Sequence, residues 1–156
     1  MIRELLPNAR VLVVTCCDHE ALCESLSLLK TTHNVVALNT DPGGVLCLSV
    51  NVPWINRNQF RTKINLELDL KRCDSIVVLH HENCGAYKKF SFKDKRPSVA
   101  AEECTHVKHM MHAKKHFQSW FKGVLVTLCY QSDQQLFRVD EDESLLEMVN
   151  EELQTA

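Results

Sequence analysis

No stretch of this sequence is long and apolar enough to cross a bilayer as a helix; the longest apolar runs, Val11 to Val14 and Ile76 to Leu79, read instead as buried strands. Neither sign of charge dominates. With 18 basic and 20 acidic side chains the net charge is −2, too small a field to recruit nucleic acid or an anionic membrane surface, so neither is an expected partner. No charged opening segment leads into an apolar stretch of the secretory kind, and no repeat, linker or low-complexity tract divides the chain. The expectation is a cytoplasmic protein that folds as one domain over residues 1–156, its eight cysteines reduced rather than paired.

Several catalytic signatures are missing too. Cys16 and Cys17 are adjacent, so the two-residue gap of a thiol oxidoreductase motif is absent. Asp41 to Gly44 lacks the lysine and hydroxyl residue that complete a phosphate-binding loop. No glutamate follows His112 in the arrangement that gives a helical metalloprotease site its base.

What is present is an α/β pattern. Arg10 to Thr15 is a β-branched strand that stops at a polar cluster, Cys16 to His19; Glu20 to Leu29 follows with helical spacing and acidic residues at its start. Asn34 to Leu38 reads as a second strand, Asn39 to Gly44 as a loop, and Gln59 to Lys71 as a helix whose apolar residues mix helical and alternating periods. Ser75 to His80 is a third strand. The basic stretch Lys88 to Arg96 reads as an exposed connection, Ser98 as the cap of a long helix to about Phe121, and Gly123 as its close. Val124 to Tyr130 and Leu136 to Val139 read as a strand pair, and Asp140 to Leu153 as a short amphipathic helix. The sum is a single α/β domain: a central, mostly parallel sheet flanked by helices, with a mixed edge strand and ligands bound beyond the C-terminal strand ends.

Two of those strand ends carry metal-ligand chemistry: Cys16 after the first, and His81 and Cys84 after the third. Zinc takes thiolate and imidazole ligands in tetrahedral geometry, and a catalytic site uses three of them with one position open. Spacing alone also fits small buried thiols and a hydrogen-bonded histidine; placement at two strand ends favours the metal. The remaining cysteines, Cys23, Cys47, Cys73, Cys104 and Cys129, are expected in the core. His106, His109, His112 and His116 are expected on a solvated or oligomer-contact face of the long helix.

Cys16-Cys17-Asp18 and His81-Glu82-Asn83-Cys84-Gly85 resemble the C-x-D-x-R and H-x-x-C-G motifs of β-class carbonic anhydrases, and the Asn39 to Gly44 loop is similar to a segment of that family. The resemblance implies Cys16, His81 and Cys84 as zinc ligands, Asp18 as the carboxylate that orients a zinc-bound hydroxide or caps the metal, and reversible hydration of carbon dioxide to bicarbonate. It implies a homodimer or higher homo-oligomer as well. The family's arginine after the aspartate is Glu20 here, Leu38 stands where the family's loop has arginine, and His80 stands in place of a glycine. Glu20 repels Asp18 instead of holding it, so bound water should ionise at higher pH unless Arg57, Arg61 or Lys88 compensates. Two alternatives follow: a catalytically inactive zinc-binding regulatory domain, or a hydrolase of a related small molecule such as carbonyl sulfide or carbon disulfide.

Overall fold

A computed structural model describes residues 8–133, 135–139 and 142–155. Five strands form one sheet in the order β2-β1-β3-β4-β5. They are β1 (Arg10–Thr15), β2 (Asn34–Thr40), β3 (Ser75–His81), β4 (Leu125–Ser132) and β5 (Gln135–Arg138). The first four run parallel, and β5 returns antiparallel to β4, with Tyr130 opposite Phe137. The helices are α1 (His19–Lys30), α2 (Arg57–Lys71), α3 (Gly85–Phe90), α4 (Val99–Trp120) and α5 (Glu143–Thr155). None of the described helices is long and apolar enough to cross a membrane.

Alternation along the central strands divides the core. Leu12, Val14, Ile76, Val78, Val126 and Leu128 pack on one face against stripes from α2 and α4. Val11, Val13, Val77, Leu79 and Cys129 form a smaller cluster with Leu29 of α1 on the other. In α2 the stripe is Phe60, Ile64 and Leu68, four residues apart and buried. Burial of each such side chain contributes about 1.5–3 kcal/mol. The alternating signal in that segment came from Leu66 and Leu70, which lie on the solvent face at 55% and 69% exposure. A capping box starts α2: Asn56 Oδ1 accepts the Gln59 N–H at 2.9 Å, and Gln59 Oε1 accepts the Asn56 N–H at 3.0 Å.

The structure departs from the sequence reading in places. Gly85–Phe90 is helical, so the connection that read as exposed from Lys88 begins inside α3. Val45 to Leu48 belong to a buried 3₁₀ turn, Gly44–Leu48. Cys104 and Cys129 are core residues as expected, but Cys47 and Cys73 are half-buried and Cys23 is exposed on the outer face of α1; no disulfide links any of the eight cysteines. The start of the last helical segment, Asp140 and Glu141, and Gln134 in the turn before β5 lie outside the described residues, as do the side chains of Leu145, Met148 and Leu153.

This strand order fixes where a ligand can sit. From β1 the chain crosses through α1 to β2 on one side, and from β2 through α2 to β3 on the other. The crevice beyond the C-terminal ends of β1 and β3 is therefore the switch point of the sheet.

Candidate metal centre

Cys16 leaves the end of β1 and His81 ends β3, so both project at the switch point; the turn Glu82-Asn83 returns Cys84 to the same place. Asn83 takes a left-handed backbone, φ 57°, to close that turn. The Sγ atoms of Cys16 and Cys84 are 3.6 Å apart. Two sulfurs held at about 2.3 Å by one tetrahedral ion lie about 3.8 Å apart, so this spacing suits a shared metal. Cys16 Sγ, His81 and Cys84 Sγ present ligand atoms all within 4.8 Å of one another, and all three residues are buried.

His81 is oriented to donate through Nε2. Its Nδ1 lies 2.8 Å from the Glu82 carbonyl oxygen, which can only accept, so Nδ1 carries the proton. Nε2 is buried, makes no hydrogen bond of good geometry, and has the Cys16 thiol as its neighbour. An imidazole nitrogen so placed, facing two thiols, is costly in an empty core and is the arrangement a metal ligand needs.

The loop after β2 supports the same point. Gly43 N–H donates to Cys16 Sγ at 3.2 Å. Donation from the Cys84 thiol, opposed by burial and aided by His81 and by the Gly43 and Asp18 N–H groups, brings Cys16 down to about 4. Cys84 is driven the other way, because it donates to Cys16 and is itself buried. Burial works against a charged His81, but the adjacent Cys16 thiolate outweighs it and raises the imidazole. The protein thus already stabilises one thiolate, and a metal would displace the Cys84 proton and take the place of the charge that Cys16 otherwise draws onto His81.

Asp18 is exposed and caps α1, its Oδ1 accepting the Ala21 N–H at 3.4 Å. Its carboxylate is not among the atoms clustered within 4.8 Å; it lies in the cleft over His81, a space of about 570 Å³. That cleft also holds Glu20, Glu24, Glu82 and Asp133, with no lysine or arginine among the described residues that line it. A second cleft of about 310 Å³ opens beside Cys84 and carries Lys88 and Arg96 with Glu102. Of the three compensating cations considered from sequence, Lys88 alone lines either cleft. Arg57 bonds the Leu48 carbonyl and Arg61 lies over Trp120.

Other residues were not legible as site components. Asn39 is 2% exposed with neither amide atom satisfied. His80, in the position where a glycine was expected, packs the opposite way from His81: its Nδ1 meets His106 Nδ1 at 2.9 Å, and the His106 ring stacks on Tyr87 at 3.7 Å. Burial holds both histidines well below their usual range, hence neutral. His106 is 1% exposed, so the expectation of a solvated histidine face fails there; His109 is half-buried against the Tyr87 hydroxyl, and the His112–His116 end alone is open. The signal that could have separated them is the apolar stripe: His106 sits beside Cys104, Val107 and Met110 on the core side of α4.

No family model and no curated protein sequence matches this chain. Among solved structures, β-carbonic anhydrase isoform I from Trichomonas vaginalis superposes with a TM-score of 0.55 at 10% identity, covering 87% of this chain and 86% of that one. A carbonic anhydrase from Streptococcus mutans covers 88% of this chain and 85% of its own at a TM-score of 0.48 and 15% identity. A β-carbonic anhydrase from the fungal pathogen Aspergillus fumigatus covers 92% and 82% at 0.49 and 12%. The chain is thus an α/β protein with a possible metal site at its switch point. Its fold is that of the β-carbonic anhydrases, as the first of these superpositions shows.

Proposed function

We propose that the chain is a divergent β-class carbonic anhydrase, one domain over residues 1–156, that binds zinc through Cys16, His81 and Cys84 and hydrates carbon dioxide reversibly. The observation that carries this reading is the convergence of two thiols and an imidazole nitrogen within 4.8 Å in a buried crevice. Two sulfurs and one nitrogen suit zinc better than magnesium or calcium, which take oxygen.

When bound, zinc supplies the Lewis acidity that lets water react with carbon dioxide near neutral pH. The chain's own groups do the rest. The two thiolates balance the ion's charge, and the Glu82 carbonyl fixes the tautomer and orientation of His81. Asp18, whose Oδ1 is engaged by Ala21 N–H, has Oδ2 to accept a hydrogen bond from water and to orient it. Lys88 and Arg96 beside Cys84 favour the bicarbonate anion on that side, whereas the five carboxylates over His81 disfavour it.

That carboxylate cleft also favours a second reading, a zinc-stabilised domain without catalysis, because clustered negative charge opposes any negative charge developing at the metal. Stopped-flow carbon dioxide hydration on zinc-quantified protein at pH 7 and pH 9 separates the two. The first reading expects activity that rises from pH 7 to pH 9, and a Glu20→Arg protein whose pH 7 rate is roughly tenfold higher, the effect of about one pKa unit. Bound zinc with no hydration in either protein at either pH establishes the second.

A further inference from the structure

On the open end of α4 a second pair of metal-ligating side-chain types converges. We propose that His112 and His116 form a separate two-imidazole site for a divalent transition ion of borderline softness, of the nickel or zinc class. Their Nε2 atoms are 3.2 Å apart, with ring planes at 61° and centroids at 4.6 Å. Two imidazole nitrogens bound at about 2.1 Å to one ion lie about 3.0 Å apart at a right angle and about 3.4 Å apart in a tetrahedron, so the pair already stands at chelating separation.

The i, i+4 spacing stacks the two rings on successive turns, and one of them is anchored from outside the helix. Ser49, just past the 3₁₀ turn, places its Oγ 3.1 Å from His112 Nδ1. In the tautomer whose Nδ1–H donates to Ser49, His112 Nε2 is unprotonated and accepts from His116 Nε2–H across the 3.2 Å contact, so an ion bridging the pair takes the place of that one proton. Neither histidine is buried, so an ion can reach them with water completing its shell. Burial, with Arg57 and Lys115 near His112 and with His112 itself beside His116, lowers both imidazoles and keeps them neutral at pH 7.

The surroundings define the class of ion. The adjacent cleft of about 360 Å³ holds Ser49, Lys108, His109 and Lys115, and no carboxylate among the described residues lines it. Hard cations that depend on anionic oxygen, such as magnesium and calcium, find nothing to hold them there. An ion that gains from imidazole donation can outweigh the nearby positive charge.

The same geometry supplies a reporter. The Trp120 ring lies 4.9 Å from that of His116, whereas Trp54 packs against Phe90 at the other end of the site loops. Nickel(II) is therefore titrated into the full chain carrying one equivalent of zinc, with tryptophan fluorescence and titration calorimetry read together. The proposal expects saturable binding of one nickel ion with quenching. His112→Ala and His116→Ala should each weaken it at least tenfold with unchanged circular dichroism. Trp120→Phe should keep the heat while losing most of the quenching. An unchanged nickel midpoint in His112→Ala or His116→Ala overturns it.

Discussion

The Cys84→Ser protein, expressed with zinc in the medium, is expected to purify with less than about a tenth of an equivalent of zinc, where the parent holds one, and to show no carbon dioxide hydration. Cys84 is one of the two sulfurs 3.6 Å apart, and a serine hydroxyl in its place does not ionise to serve the metal. Loss of a ligand should exceed the roughly 10–100-fold that loss of a hydrogen bond to a ligand costs. The substitution spares the fold: Cys84 stands at the N-cap of α3, a position where serine is favoured, and its packing neighbours Leu46, Val52 and Tyr87 remain. Circular dichroism should therefore match the parent. A Cys84→Ser, His116→Ala protein, which lacks the helical pair, that keeps a full equivalent of zinc would remove Cys84 from the site.

Gly43→Ala is expected to lose about 2–5 kcal/mol of stability, or roughly 5–15 °C in Tm, and to weaken metal retention as well. Gly43 has φ +76°, a region that costs any residue with a Cβ. The added methyl would lie 2.8 Å from Leu46 Cβ and 3.2 Å from Ala86 Cβ. Neither neighbour is the free end of a long side chain, so the backbone must yield. The backbone that yields on one side carries the N–H bonded to Cys16 Sγ, and on the other it is the first turn of α3, which Cys84 caps. Thermal melts of apo and zinc-loaded protein check both effects. An unchanged Tm would mean that the loop is free to move, and the claim that it braces the thiolate would fail.

The sequence carried the sheet and the three side chains that converge at its switch point because those features are local. A β-branched run that halts at cysteine or histidine marks a strand end, and two such ends in a parallel sheet meet at its switch point. The Gly43 bond to Cys16 spans 27 positions and depends on two positive-φ glycines in succession, Gly43 and Gly44, which a reading of turn residues registers only as a turn. His80 and His81 are adjacent in sequence yet face opposite sides of β3. The strand's period of two separates a core histidine paired with His106 from one facing the thiols, and both faces are buried, so polarity could not tell them apart. Asp18 illustrates a competing role: the carboxylate expected at the metal is also the best-placed cap for α1, and in the structure it makes that cap.

The central claim is that one ion is held by Cys16, His81 and Cys84, and zinc-edge X-ray absorption of the zinc-loaded, His116→Ala chain tests it most directly, since that variant removes the helical pair from the spectrum. The account predicts two sulfur scatterers at about 2.3 Å and nitrogen or oxygen scatterers at about 2.0–2.1 Å, one of them an imidazole. A shell of nitrogen and oxygen alone, or one of four sulfurs, would contradict it.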